Sequence, residues 1–256
     1  MAKNSKIAEL ASFDSDYIGG RSFIVGIDEA GRGCLAGPVY AAAMAISAKF
    51  YSDESMLKEL EKLNDSKQLS HEVREEIYAK LERMRSAGVI DFEAAYADVD
   101  EIERDNILRA TQTAMARAAT TLNDRLGLNL RTSGAVATLF GESALDISRA
   151  NILLDGREMK NFPYAHRAVV KGDASSLAIA AASIIAKVSR DKLMDSYAQQ
   201  YPRYAFEKHK GYGTALHLQA LMLFGPCPIH RKSFLKKLRP DETDESQHTP
   251  EQTSLF

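Results

Sequence analysis

Three short apolar runs in this chain each stop at a carboxylate, and that repetition constrains the fold more than any other feature. Residues 23–27 end at Asp28-Glu29, residues 152–154 end at Asp155, and residues 168–170 are followed by Lys171-Gly172-Asp173. Apolar runs this short, bounded by glycine turns, predict strands covered on both faces. Ligand sites in open α/β sheets gather where the strands finish. If these three strands are neighbours, Asp28, Glu29, Asp155 and Asp173 converge on one patch. Carboxylates held together push up one another's pKa, so the patch asks for a counter-charge. Hard divalent cations fit. Mg²⁺ takes oxygen ligands, and two ions about 3.5–4 Å apart can clamp an in-line phosphoryl displacement. Taken singly, Asp155 or Asp173 reads more simply as a helix cap or a surface residue. The recurrence at three strand ends is what favours metal-dependent phosphoryl transfer.

Adjacent residues in a regular strand point to opposite faces. Asp28 and Glu29 are therefore expected to share a site only if the chain leaves β geometry at Glu29, and the following Gly31-Arg32-Gly33 predicts such a turn. Asp173, just ahead of a helix, gains from the positive end of the helix dipole.

The remaining pattern predicts further strands over 39–46 and 89–96. Helices are expected over 53–63, over 71–86 with Ser70 as N-cap, and over 100–126. The clearest helix carries Leu177, Ala181, Ile184, Ile185 and Val188 on one face, capped by Ser175 or Ser176. This order gives an α/β fold: a central mixed sheet flanked by helices, then a helical C-terminal part. Residues 1–20 read as a polar lead-in, 21–239 as the folded domain, and 240–256 as a disordered acidic tail.

With 256 residues the chain can bury a real core. Cys34 and Cys227 form no disulfide framework or metal-ligand spacing and suit a reducing cytoplasm. No apolar leader and no run of about 18 apolar residues is present, so neither secretion nor membrane insertion is expected. The net charge of -2 hides an uneven distribution. Arg203, Lys208, Lys210, Arg231, Lys232, Lys236, Lys237 and Arg239 crowd residues 201–239 against the single acid Glu207, as a solvated basic face or a nucleic-acid contact.

GIDEAGRG at 26–33, DSK at 65–67, LLDG at 153–156, KGDASSLAIAAASIIAKVSRD at 171–191 and HKGYGT at 209–214 resemble bacterial ribonuclease HII, in the same order. The resemblance covers residues 22–235 and implies a ribonuclease H-like fold. It implies an endonuclease that cuts the RNA strand of RNA/DNA hybrids and nicks duplex DNA 5′ of a single embedded ribonucleotide. Asp28, Glu29, Asp155 and Asp173 match the family's metal-binding acids, for two Mg²⁺ or Mn²⁺ ions. Gly31, Arg32 and Gly33 match its turn against the 2′-OH, the one group that marks RNA at a single position. Tyr212 matches its sugar-stacking tyrosine. Ser66, Lys67, Lys187, Lys208 and Lys210 are expected on phosphates, which position a duplex without reading sequence. The resemblance also favours a monomer.

The stretch 127–150 is longer than the family's usual connection and is expected as a surface excursion. Ribonuclease HIII usually shows GTG in place of GRG and carries an extra N-terminal domain. A DnaQ-type exonuclease spaces its first acids Asp-x-Glu. A catalytically dead binding module has no reason to keep four acids. The terminal QTSLF resembles the peptide by which bacterial replication and repair proteins bind the sliding clamp, with Gln252 for hydrogen bonding and Leu255-Phe256 as an apolar anchor. A five-residue match can also be accidental.

Overall fold

The computed structural model describes residues 5–63, 69–133 and 148–236. In chain order these form α1 (Lys6–Ser15), β1 (Phe23–Ala30), β2 (Val39–Ser47), α2 (Glu54–Glu59), α3 (His71–Ser86) and β3 (Ile90–Ala97). There follow α4 (Val99–Leu126), β4 (Ala150–Asp155), β5 (Arg167–Val169), α5 (Leu177–Gln200), α6 (Phe206–His209), α7 (Ala215–Phe224) and α8 (Lys232–Lys236).

The strands make one mixed sheet in the order β3-β2-β1-β4-β5. β1 pairs antiparallel with β2 on one side and parallel with β4 on the other, which sets two acid-bearing strands next to each other. The β1–β4 register runs from Phe23↔Ala150 to Ile27↔Leu154, so Asp28 and Asp155 come next at the same end of adjacent strands. β5 pairs parallel with β4 through Asp155↔Val169 and delivers the chain to Asp173 just beyond.

Alternation along the strands builds a core on each face. Ile24, Ala42, Met44 and Ile46 pack with Leu177, Ala181, Ile184, Ile185 and Val188 of α5 and with Ile77 and Leu81 of α3. Val25, Ile27, Ala41, Ala43 and Ala45 face Ala114, Met115, Ala118 and Leu122 of α4. Small residues let α5 approach β1 closely: a Cβ on Gly26 would lie 2.1 Å from the Ala178 carbonyl carbon. Ser176 caps α5, its side chain accepting from the Ile179 amide at 3.2 Å.

Two details depart from the sequence reading, and another adds to it. The lead-in carries a helix that packs inward: α1 buries Ile7, Leu10 and Ala11 in the core. The helix expected over 100–126 is broken at Asn106, which takes φ +66°. Its side chain accepts from the Leu108 and Arg109 amides and recaps the second half, as asparagine does well. Finally, β1 keeps strand geometry past Glu29, with Glu29 opposite Ala41 and Ala30 opposite Tyr40.

The turn containing Ser66 and Lys67, most of the long connection (134–147), and the tail from 237 with Gln252, Leu255 and Phe256 lie outside the described residues. No helix among the described residues is long and apolar enough to cross a membrane.

Candidate active site

Asp28 is buried to 5% exposure at the carboxyl end of β1. Its carboxyl is pushed well above the usual carboxylate range, first by burial, then by the charges of Glu29 and Asp155, with Asp173 adding to them. The Glu29 amide, donating to Asp28 Oδ1 at 2.7 Å, pulls the other way. Four acids from three segments thus share one electrostatic neighbourhood. Glu29 joins it without leaving the strand, because the β1–β4 ladder ends at Ile27↔Leu154 and the two acids stand at the open end of the sheet.

Glu29 and Asp155 line one cleft of 670 Å³ together with Arg32, Gly156 and Arg157. Asp155 Oδ1 accepts from the Gly172 amide at 2.6 Å, and Glu29 Oε1 holds Arg32 Nη1 at 3.1 Å. Asp173 is buried in a short 3-10 turn, Gly172–Ala174, between β5 and α5. The donor set is all carboxylate oxygen, which suits a hard divalent cation. As the side chains stand, no three His, Cys, Asp or Glu among the described residues converge on one cation-sized point.

The Gly31-Arg32-Gly33 turn leaves β1 with Gly31 at φ +91°, a conformation that favours glycine. A Cβ there would also meet Arg190 Nε at 2.0 Å. Arg32 is half exposed and Tyr212 is 40% exposed. Residues 209–212 bond directly to the same loop, the Leu35 amide donating to the Gly211 carbonyl at 2.8 Å.

Lys187, Lys208 and Lys210 share a second cleft, of 710 Å³, with Tyr212, His71 and Arg74. This cleft also holds Asp191, Asp195 and Glu207. Lys187 Nζ lies 2.6 Å from Asp191, burial pulls its pKa down, and Lys210 pairs with Asp195. Only Lys208 of the three stands fully at the surface. The basic run 201–239 is likewise less uniform than its composition suggests, since Arg231 is wholly buried.

Arg190 and Arg231 are the functional neighbours that sequence reasoning missed. A second unforeseen feature is a chain of imidazoles beneath Tyr212. The Cys227 amide donates to His230 Nδ1 at 2.9 Å, which puts the proton of neutral His230 on Nε2. His230 Nε2 then donates to His217 Nε2 at 3.0 Å, and His217 Nδ1 donates to the Tyr212 carbonyl at 2.9 Å. Burial draws both rings down to pKa values of about 4, so both are neutral near pH 7.

The family model for ribonuclease HII matches residues 25–237, which include every acid and both glycines of the turn. The chain belongs to the ribonuclease HII family. Ribonuclease HII of Coxiella burnetii (strain Dugway 5J108-111) is 42% identical over 224 residues, covering 86% of this chain and 94% of that protein. Among solved structures, the ribonuclease HII of the PCNA complex from Archaeoglobus fulgidus superposes with a TM-score of 0.56 at 19% identity, over 86% of this chain and 98% of that one. Bst-RNase HIII in complex with Mn²⁺ gives a TM-score of 0.50 at 19% identity, over 82% and 72%. At these identities the structural matches establish the ribonuclease H-type fold. Family membership makes this chain a hydrolytic nuclease that acts on RNA in RNA/DNA hybrids.

Proposed function

We propose that this ribonuclease HII family member also nicks duplex DNA on the 5′ side of a single embedded ribonucleotide. The products are 5′-phosphate and 3′-OH ends, and two Mg²⁺ or Mn²⁺ ions are held by Asp28, Glu29, Asp155 and Asp173. The observation that supports this most is Asp28, a carboxyl raised first by burial and then by three neighbouring carboxylates, two of which share a cleft with Arg32. Folding has gathered mutually repelling oxygens, an arrangement that a divalent cation relieves. The Mn²⁺ in the Bst-RNase HIII structure is consistent with that preference. When bound, such ions polarise the scissile phosphate and lower the pKa of an attacking water.

The protein's own groups do the rest. Asp155 is oriented by the Gly172 amide, and Glu29 by Arg32. The glycines of the 31–33 turn let backbone approach the ribose, where the 2′-OH separates RNA from DNA. Tyr212 offers an exposed ring for stacking on the neighbouring sugar. Lys187, Lys208 and Lys210, with Ser66 and Lys67, are assigned to phosphates. For Lys187 and Lys210 this means exchanging a carboxylate partner for a phosphate. In the cell this activity removes misincorporated ribonucleotides and RNA primers, in the cytoplasm and as a monomer.

The deciding experiment is Asp155→Asn, assayed on a duplex with one ribonucleotide at saturating Mg²⁺. Loss of a ligand that stabilises developing charge removes several kcal/mol, so cleavage falls at least about a thousandfold while the fold is kept. Near-normal cleavage by the folded variant refutes the assignment.

The terminal QTSLF carries a separate part of the proposal: Gln252, Leu255 and Phe256 bind the bacterial sliding clamp. Full burial of both apolar side chains in a partner's pocket is worth roughly 3–6 kcal/mol before ordering costs. The A. fulgidus relative, solved in complex with PCNA, gives a precedent for partner docking within the family. Titrating the clamp with the full chain and with a chain ending at Glu251 tests it. Equal affinities rule it out.

A further inference from the structure

Arg231 and Arg190 are both 0% exposed. Neither forms an ion pair with another described residue, although burying an unpaired guanidinium is costly. Instead, each of the three nitrogens of both side chains donates to a backbone carbonyl. Arg231 Nη2 donates to Gly31 at 2.8 Å, Nη1 to Arg32 at 2.9 Å, and Nε to Gly37 at 2.9 Å. Arg190 Nε donates to Pro38 at 3.0 Å, Nη2 to Ala36 at 3.0 Å, and Nη1 to Lys210 at 2.8 Å. Between them they pin the loop from Gly31 to Pro38 and tie it to the segment that leads into Tyr212.

The backbone of the C-terminal segment adds to the clamp. The Arg231 amide donates to the Leu35 carbonyl and the Gly37 amide to the Ile229 carbonyl, both at 2.8 Å. One residue earlier, His230 supports the Tyr212 carbonyl through His217. A single short stretch, 227–231, therefore bears on both Arg32 and Tyr212. These contacts hold the backbone on either side of Arg32, and leave the Arg32 side chain turned to the cleft.

We infer that Arg231, seconded by Arg190, is a positioning residue for ribonucleotide selectivity: it fixes the Gly31-Arg32-Gly33 turn in the shape that reads the 2′-OH. This rests on the recognition role proposed for Arg32. A lysine at 231 keeps the charge but, as a single ammonium, cannot match three carbonyls in one plane. A turn so loosened still binds duplex, whose affinity comes from distributed phosphate contacts, but misplaces the ribose.

The test compares Arg231→Lys, Arg32→Ala and the double variant in the full chain. Each is measured for kcat/KM on a DNA duplex with one ribonucleotide, for affinity to the all-DNA duplex, and for Tm. Arg231→Lys should lower kcat/KM by about tenfold or more with duplex affinity within about twofold of wild type. Because both act through one turn, the double variant should cleave no more slowly than Arg32→Ala alone, whereas a general structural defect would multiply the losses. Wild-type selectivity in Arg231→Lys, or multiplied losses, overturns the inference. Normal cleavage by Arg32→Ala marks instead a failure of the underlying recognition reading. If Arg231→Lys melts below the assay temperature, Arg190→Lys is put through the same comparison, with the same outcomes deciding.

Discussion

The Gly172 amide donates a 2.6 Å hydrogen bond to Asp155 Oδ1, joining the end of β4 to the turn that carries Asp173. A Cβ on Gly172 would stand 3.1 Å from that oxygen and 2.5 Å from Ile179 Cδ1. The isoleucine tip can swing aside, but Asp155 has to yield. Gly172→Ala is therefore expected to lower cleavage by about tenfold, with a Tm loss of only a few degrees. Single-turnover cleavage and a thermal melt check this. Wild-type rates would mean that Asp155 is held by other contacts.

Gly26→Ala should act on stability instead. The new Cβ would meet backbone, at 2.1 Å from the Ala178 carbonyl carbon and 2.4 Å from the Ile179 nitrogen. No side-chain rotation relieves that, so α5 has to lift from β1. A loss of about 1–3 kcal/mol or more is expected, read from the denaturant midpoint.

Asp14 joins α1 to the start of α5: its Oδ2 accepts from Tyr51 Oη at 2.9 Å and from the Ala178 amide at 2.8 Å. Burial raises its pKa from 3.8 to about 6. The folded state therefore binds a proton that the unfolded chain gives up above pH 4, and this group's contribution falls as pH rises from about 4 to 6. Asp14→Asn removes the titration. Its stability relative to wild type should improve by about 3 kcal/mol between pH 4 and 7, measured by urea unfolding at each pH. A difference that is flat with pH contradicts it.

His217 and His230 push in the opposite sense. Their folded pKa values of about 4 lie below the usual 6.5, so below pH 6.5 the unfolded chain binds more protons. Their contribution is complete above pH 6.5 and is lost as pH falls toward 4. Over that window it offsets Asp14. The acid-side loss should accordingly be steeper in Asp14→Asn than in wild type, which the same unfolding series reads directly.

The carboxylates were legible because strand ends are marked by composition: an apolar run, an acid, then glycine. What the sequence could not convey was the end of a ladder. Alternation alone says that Asp28 and Glu29 diverge. Only the register, with β1 ceasing to pair with β4 after Ile27↔Leu154, places both acids beyond that ladder on an unbroken strand. Arg231 was misassigned for a different reason. It stands between His230 and Lys232 in a basic run, with no periodicity to separate a buried guanidinium from solvated ones. Asn106 was hidden by its neighbours, whose helical spacing continues across the break. Its positive φ costs little because its own side chain caps the second half of α4.

The bond from Arg231 Nη2 to the Gly31 carbonyl closes a chain separation of 200 residues. On a ribosome adding 5–20 residues per second, residues 227–231 therefore emerge after the 31–33 turn by roughly 10–40 s. Throughout that interval the nascent chain already carries its first acids, in the immediate company of messenger and ribosomal RNA. The turn proposed to read ribose lacks the Arg231 bonds to its carbonyls until that segment arrives.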